Sequence, residues 1–208
     1  MMFNEIIESN KYVIENAKYI QINKDEIKKF ANGIQEVNIK NWLYNSPYNL
    51  LDENVETIIT FLLYFEAIDF SFWGSPKWQI ETSNGKEDGS MALMYAMLRY
   101  IRENKTFDNL TKENFKEYLK GNVEIPLFEE RFKIIKNVNK VVNEKFGGDF
   151  YNAIYNLTND EELFKFIIDN FEDFKDIRTY EGKTIYFLSF PLYAKYLMLI
   201  IVPIYKNI

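Results

Sequence analysis

The chain has 208 residues, 47% of them apolar and 17% aromatic, enough to bury one sizeable core. With only 8 glycines and 5 prolines, a turn-rich sandwich or barrel is disfavoured and a mainly α fold is expected. A net charge of -6 argues against a nucleic-acid duplex as partner, and the lack of cysteine and histidine excludes disulfides, thiolate chemistry and the commonest general base and metal ligand.

Acid–base work must therefore fall to Asp, Glu, Lys or Tyr. The opening MMFNEIIESNKYV has no basic region followed by an apolar core, so no signal peptide is expected and the cytoplasm is the default location. No repeat, low-complexity segment or linker interrupts the chain, which reads as one domain. Glu5–Tyr19 and Lys24–Asn32 are expected to form short amphipathic helices. Asp52 can cap a helix in which Val55, Ile58, Ile59, Leu62, Leu63 and Phe65 repeat at helical spacing, ending near Asp69. Phe70–Trp73 and Trp78–Glu81, divided by Gly-Ser-Pro, read as a hairpin. Turns at Asn84-Gly85 and Asp88-Gly89 lead to Ser90, a candidate cap for the apolar helix MALMYAMLRYI. A polar helix over Thr111–Leu119 comes next. Pro126 suits the first position of a long helix to about Lys145, which Gly147-Gly148 ends. Asp160 and Glu161 open a further helix to about Asn170, and a Glu181-Gly182 turn precedes the β-like KTIYFL.

Three clusters could carry chemistry. In IDFSFWGSPKW (68–78), Phe70, Phe72, Trp73 and Trp78 surround Asp69. Rings of this kind stack on a base for about 1–3 kcal/mol each, with the carboxylate accepting from the base's N–H edge; they equally suit a packed core corner with Asp69 as a cap. FEDFKD (171–176) repeats rings followed by carboxylates, with Glu172, Asp173 and Asp176 close together. Paired carboxylates serve hydrolysis through an oxocarbenium-like transition state, and a solvated helix end has the same composition. Arg131 shares a stripe with Leu127, Ile134, Val138 and Val141, so its guanidinium either meets a buried anionic partner or reaches solvent over an apolar stem. No phosphate-cradling glycine loop, nucleophile triad or metal-ligand cluster is visible. The apolar tail from Ile185 to Val202 is broken by Ser189, Pro191 and Lys195, and reads as a packed terminal segment rather than a membrane span of roughly 20 apolar residues.

In order along the chain stand Asp69-Phe70-Ser71-Phe72-Trp73, a Trp78-containing strand, Gly89-Ser90-Met91-Ala92-Leu93 and Ile125-Pro126-Leu127 with Glu130-Arg131. Phe146-Gly147-Gly148-Asp149-Phe150, Phe171 with Phe174-Lys175-Asp176, and Gly182-Lys183 complete the set. This ordered set, from about residue 5 to about residue 188, resembles the queuosine salvage family of queuosine 5′-phosphate N-glycosylase/hydrolases. The resemblance implies a single helical domain similar to helical DNA glycosylases, with a small β-hairpin or sheet element. It implies hydrolysis of the bond between queuine and ribose 5-phosphate, a small nucleotide or nucleoside substrate, and neither metal nor organic cofactor. A DNA substrate fits poorly, because the chain is acidic and lacks a glycine-rich hairpin to grip the backbone.

Carried onto this sequence, the resemblance assigns Phe174, Asp69, Phe70, Phe72 and Trp73 to substrate binding. Asp176 is the candidate catalytic carboxylate, and Arg131 has a structural or ion-pair role that orders carboxylates. Asp69 stands where the family has asparagine. Ser189-Phe190-Pro191-Leu192 replaces the family's Lys-Arg-Ala-Gln run, and no counterpart to its Ala-Asp-Tyr-Arg motif, whose aspartate is expected to be the main catalytic carboxylate, is found. The expected division is therefore 1–188 as the family-like domain and 189–208 as a divergent tail. The alternative to hydrolysis is a queuine-binding fragment without turnover.

Overall fold

The computed structural model describes residues 2–34 and 50–188. The apolar tail from residue 189 lies outside the described residues. Two helices lead: α1, Met2–Asn16, and α2, Lys24–Gly33, the latter capped by the Asn23 side chain. A 3₁₀ turn, Leu50–Asp52, precedes α3, Val55–Ile68. The Thr57 N–H donates to the Asn54 side chain at 2.8 Å, so the cap is Asn54 rather than Asp52. A cap must stand one residue before the first helical residue, and Asp52 is already committed to the 3₁₀ turn.

α3 is the centre of the fold. Its run from Ile58 to Ile68 is buried nearly all round, including Phe61, Leu62, Leu63, Tyr64 and Phe65, the pattern of a helix enclosed by others. Those others are α4, Gly89–Asn104; α6, Phe128–Phe146; and the five-residue α7, Phe150–Ile154. The Tyr64 hydroxyl donates to buried Asn139 of α6 at 2.7 Å, and Asn139 donates to Asp108 at 3.1 Å. Tyr64 and Tyr100 both stack on Phe107. α5, Lys112–Tyr118, opens on a Thr111–Asn114 capping box and buries Phe115. α8, Asp160–Asn170, runs over the expected range.

α6 starts two residues later than Pro126 suggests. Leu127 has φ 54, a left-handed turn that separates the proline from the helix. Ser90 is likewise inside α4 rather than at its cap; Asp88 occupies the cap position without a side-chain bond.

The first hairpin is displaced one element along the chain. Its strands are β1, Gln79–Thr82, and β2, Gly85–Asp88, antiparallel with Thr82 opposite Gly85. Phe70–Trp73 is not a strand: Ser71 has φ 54, which no β-ladder accommodates, and the carbonyls of Phe70 and Ser71 are engaged elsewhere. A second hairpin closes the described chain after the 3₁₀ turn Glu172–Phe174. Its strands are β3, Lys175–Tyr180, and β4, Lys183–Leu188, joined by Glu181-Gly182, both at positive φ, as a type I′ turn requires. This hairpin packs on α1, where the Tyr180 hydroxyl donates to the Asn16 carbonyl and Lys183 Nζ sits 3.6 Å over the Tyr12 ring. The fold is mainly helical, with two small antiparallel sheets among the described residues. No helix among them is long and apolar enough to cross a membrane.

The loop after α5 clasps β1 and so fixes Trp78. Asn122 exchanges backbone and side-chain bonds with Gln79, and the Trp78 indole N–H donates to the Leu119 carbonyl at 3.0 Å. A Cβ added at Gly121 would lie 2.3 Å from the Gln79 carbonyl oxygen and 2.7 Å from Trp78 Nε1. Neither neighbour is a flexible side-chain end. Gly121→Ala is therefore expected to lower stability by about 1–3 kcal/mol in urea unfolding. A change below about 0.5 kcal/mol would mean that the clasp yields freely.

Candidate functional site

The site begins in the last turn of α3. Glu66 is the one charged residue in the buried run Ile58–Ile68, and Asp69, the C-cap, stands three residues later. That spacing puts both carboxyl groups on one face. Glu66 Oε2 and Asp69 Oδ1 are buried without a hydrogen-bond partner. Burial pushes the Glu66 carboxyl up to about 9, with the Asp69 charge adding to the effect. Asp69 is also raised by burial, opposed by the Ser90 hydroxyl of α4 and by the Arg131 charge. Like charges in a dry environment push one carboxyl toward the neutral form, and here that group is Glu66.

Arg131, fully buried on α6, shapes the chain between Ile68 and Phe72. Its Nε donates to the Pro126 carbonyl at 3.0 Å, Nη1 to the Ile68 carbonyl, and Nη2 to the carbonyls of Phe70 and, at 3.1 Å, Ser71. Its Cζ lies 4.4 Å from the Phe70 ring centroid and 4.8 Å from that of Phe72. The expected carboxylate-ordering role is thus corrected: these bonds go to backbone carbonyls. Asp69 acts on Arg131 through its charge, against a burial that pushes the guanidinium down to about 10. A bond from a charged donor contributes about 1.5–3 kcal/mol, so four of them offset a desolvation cost of several kcal/mol. The guanidinium forces residues 68–72 into a tight turn and holds their rings.

Within that turn the predicted residues separate. Phe70 and Phe72 are half-buried, and Phe72 lies nearly parallel to Trp78 with centroids 6.2 Å apart. Trp78 itself is core, whereas Trp73 is 66% exposed. The structure therefore brings Asp69, Phe70 and Phe72 together around Arg131 and leaves Trp73 at the rim.

The second predicted segment docks on the same helix. Asn137 of α6 donates to Asp173 at 3.2 Å; burial raises Asp173 while Asn137 and Lys133 oppose that rise. Arg131 and Asn137 are six residues apart, about 9 Å along the axis. One helix thus spaces both ring-and-carboxylate segments. Phe174 is buried, edge-on to Phe171 with centroids 5.8 Å apart. The Asp176 backbone lies on β3 opposite Phe187; its side chain lies outside the described residues.

Sequence reasoning misses Glu66, Ser90 and Asn137 as site residues. A signal exists for Glu66 alone, as a lone acid inside an otherwise apolar helical run. Two surface clefts, of about 530 and 470 Å³, lie beside α5 and β1 around Lys120, Gly121 and Asn122, and residues 66–73 line neither. Among the described residues, no group of three or more acids converges to hold a metal.

Residues 48–189 match the family described as queuosine salvage protein. A protein of Sphaerobacter thermophilus is 26% identical over 189 residues, covering 88% of this chain and 58% of its own length. Those of Bos taurus and Mus musculus are 24% and 23% identical, each covering 86% of this chain and 58% of their own. All three are named queuosine 5′-phosphate N-glycosylase/hydrolase. The chain spans 58% of the length of these relatives.

The geometry of the two buried groups can be tested by substitution. Arg131→Lys presents a point charge that cannot bridge four carbonyls, and is expected to cost about 3 kcal/mol in urea unfolding; a cost below about 1 kcal/mol would contradict the bracing role. For Glu66, a folded-state value near 9 above the ordinary 4.5 means that the folded protein keeps a proton the unfolded chain releases. Stability should therefore fall as pH rises between those values, by up to about 1.4 kcal/mol per pH unit. Glu66→Gln should be more stable than the parent at about pH 8, the gap closing toward about pH 5. A gap that does not vary with pH would contradict this.

Proposed function

We propose that this chain, which belongs to the queuosine salvage protein family, hydrolyses the N-glycosidic bond of queuosine 5′-phosphate and releases queuine. The observation that carries the reading is the turn at the end of α3. There, two buried carboxyl oxygens without donors stand beside a ring wall braced by Arg131. Queuine is flat, has a polar edge and carries a cationic amine, so it matches a surface that offers rings and acceptors together. Stacking on Phe70, Phe72 or Trp73 contributes about 1–3 kcal/mol per base. Asp69 supplies an acceptor for edge N–H groups.

In this reading Phe174 and Asp176 form the opposing side, on the segment that Asn137 of α6 bonds through Asp173. Queuine lacks the purine N7, so protonation there cannot assist departure of the base. The barrier is lowered instead by stabilising positive charge on the sugar and by activating water, both tasks for a carboxylate. Asp176 is assigned to them. The substrate is a small nucleotide handled in the cytoplasm, and the charge of -6 disfavours a duplex.

The test is direct. Folded protein is incubated with queuosine 5′-phosphate, and free queuine is followed by chromatography. Release that is lost in Asp176→Ala is expected. Queuine binding without release would overturn the hydrolytic reading in favour of a binding role, and neither binding nor release would overturn both.

A further inference from the structure

We propose that Glu66 is a positioning residue of this site, holding a proton while Asp69 stays ionised, so that the pair meets a ligand as one O–H donor beside carboxylate acceptors. The proposal rests on the base-binding reading of the turn and adds a residue and a protonation state to it.

The geometry requires a donor that the protein does not otherwise provide. Glu66 Oε2 and Asp69 Oδ1 are both buried and both lack a partner. The nearby guanidinium has four bonds committed to carbonyls, so its contribution to Asp69 is one of charge. An unpaired buried carboxylate oxygen is costly, and two carboxylates three residues apart at one helix end repel. One proton on the pair removes the repulsion and supplies a donor. The groups that act on the pair are few: Asp69 on Glu66, and the Arg131 charge from α6 with the Ser90 hydroxyl from α4 on Asp69. The cation and the hydroxyl both favour ionised Asp69, which leaves the proton on Glu66. Burial raises Glu66 in the same direction, to about 9.

The consequence is selectivity for a ligand edge with an acceptor next to a donor, as a lactam or aminopyrimidinone edge has. A dianionic pair would accept only and would favour cations indiscriminately. A neutral pair would lose the charge that draws a cationic amine.

The experiment reads the proton in the full-length, ligand-free protein and binding separately. With 13C-carboxyl glutamate labelling, one glutamate resonance should stay protonated at neutral pH, titrate near pH 9 and vanish in Glu66→Gln. If every glutamate titrates below about pH 6, the proposal is overturned whatever the binding results. Queuine affinity is then measured by calorimetry across the same range. The ratio of parent to Glu66→Gln cancels the ligand's own titration. Because the glutamine keeps a neutral donor, affinity near neutrality should agree within about threefold, and the parent should lose about tenfold relative to the variant on the alkaline side. A folded Glu66→Gln that shows the same alkaline loss as the parent overturns the proposal. Failure of both proteins to bind queuine counts against the base-binding reading on which the proposal rests, and overturns the positioning role with it; a titration near pH 9 in that case separates this failure from a wrong protonation state.

Discussion

Arg131 holds the carbonyls of Ile68, Phe70 and Ser71 from one side and that of Pro126 from the other, wholly inside the protein. A guanidinium is suited to this because its donors diverge in a plane, so one side chain can terminate a helix and shape the turn after it. The left-handed Ser71, the placement of Phe70 and Phe72 against the cation, and the outward position of Trp73 are its consequences. Trp78 backs Phe72 from the clasped strand β1. The turn is therefore braced on two sides, by the guanidinium and by the clasped strand.

The same helix that carries Arg131 carries Asn137, and so the two segments that bear rings and carboxylates share a rigid support. A loop could not hold them at a constant separation; a helix of 19 residues packed on the core can. Within this frame the carboxyl groups differ by environment rather than by kind. Glu66 lies deeper in the apolar wall with only Asp69 acting on it, whereas Asp69 has a hydroxyl and a cation for company. Two acids three residues apart can thereby take different protonation states, the arrangement that divides donor and acceptor tasks between chemically similar groups.

The helices are legible because burial imposes a period on residues such as Ile58, Ile59, Leu62 and Leu63, and that period survives in a single sequence. The first hairpin is misplaced by sequence reasoning for a physical reason. Phe and Trp favour strands, but Phe70–Trp73 is shaped by carbonyl bonds to a residue 60 positions away, and carbonyls leave no mark on composition. The role of Arg131 is half readable: its apolar stripe shows that it is buried, while the carboxylate partner expected for it is replaced by the backbone. β3 is hidden because KDIRTY is polar on both sides, and α7 because five residues do not complete two turns. Glu66 is hard to single out inside an apolar run, where a lone acid is easily discounted against the hydrophobic pattern around it.

The central claim, that the Arg131-braced turn is the base-binding wall, is tested most directly by a crystal structure of the protein with queuine bound. The account predicts the flat base stacked against Phe70, Phe72 or Trp73, its polar edge toward Asp69 and Glu66, and Asp176 on its other side. Queuine seated in a cleft beside α5, with residues 66–73 untouched, would contradict it.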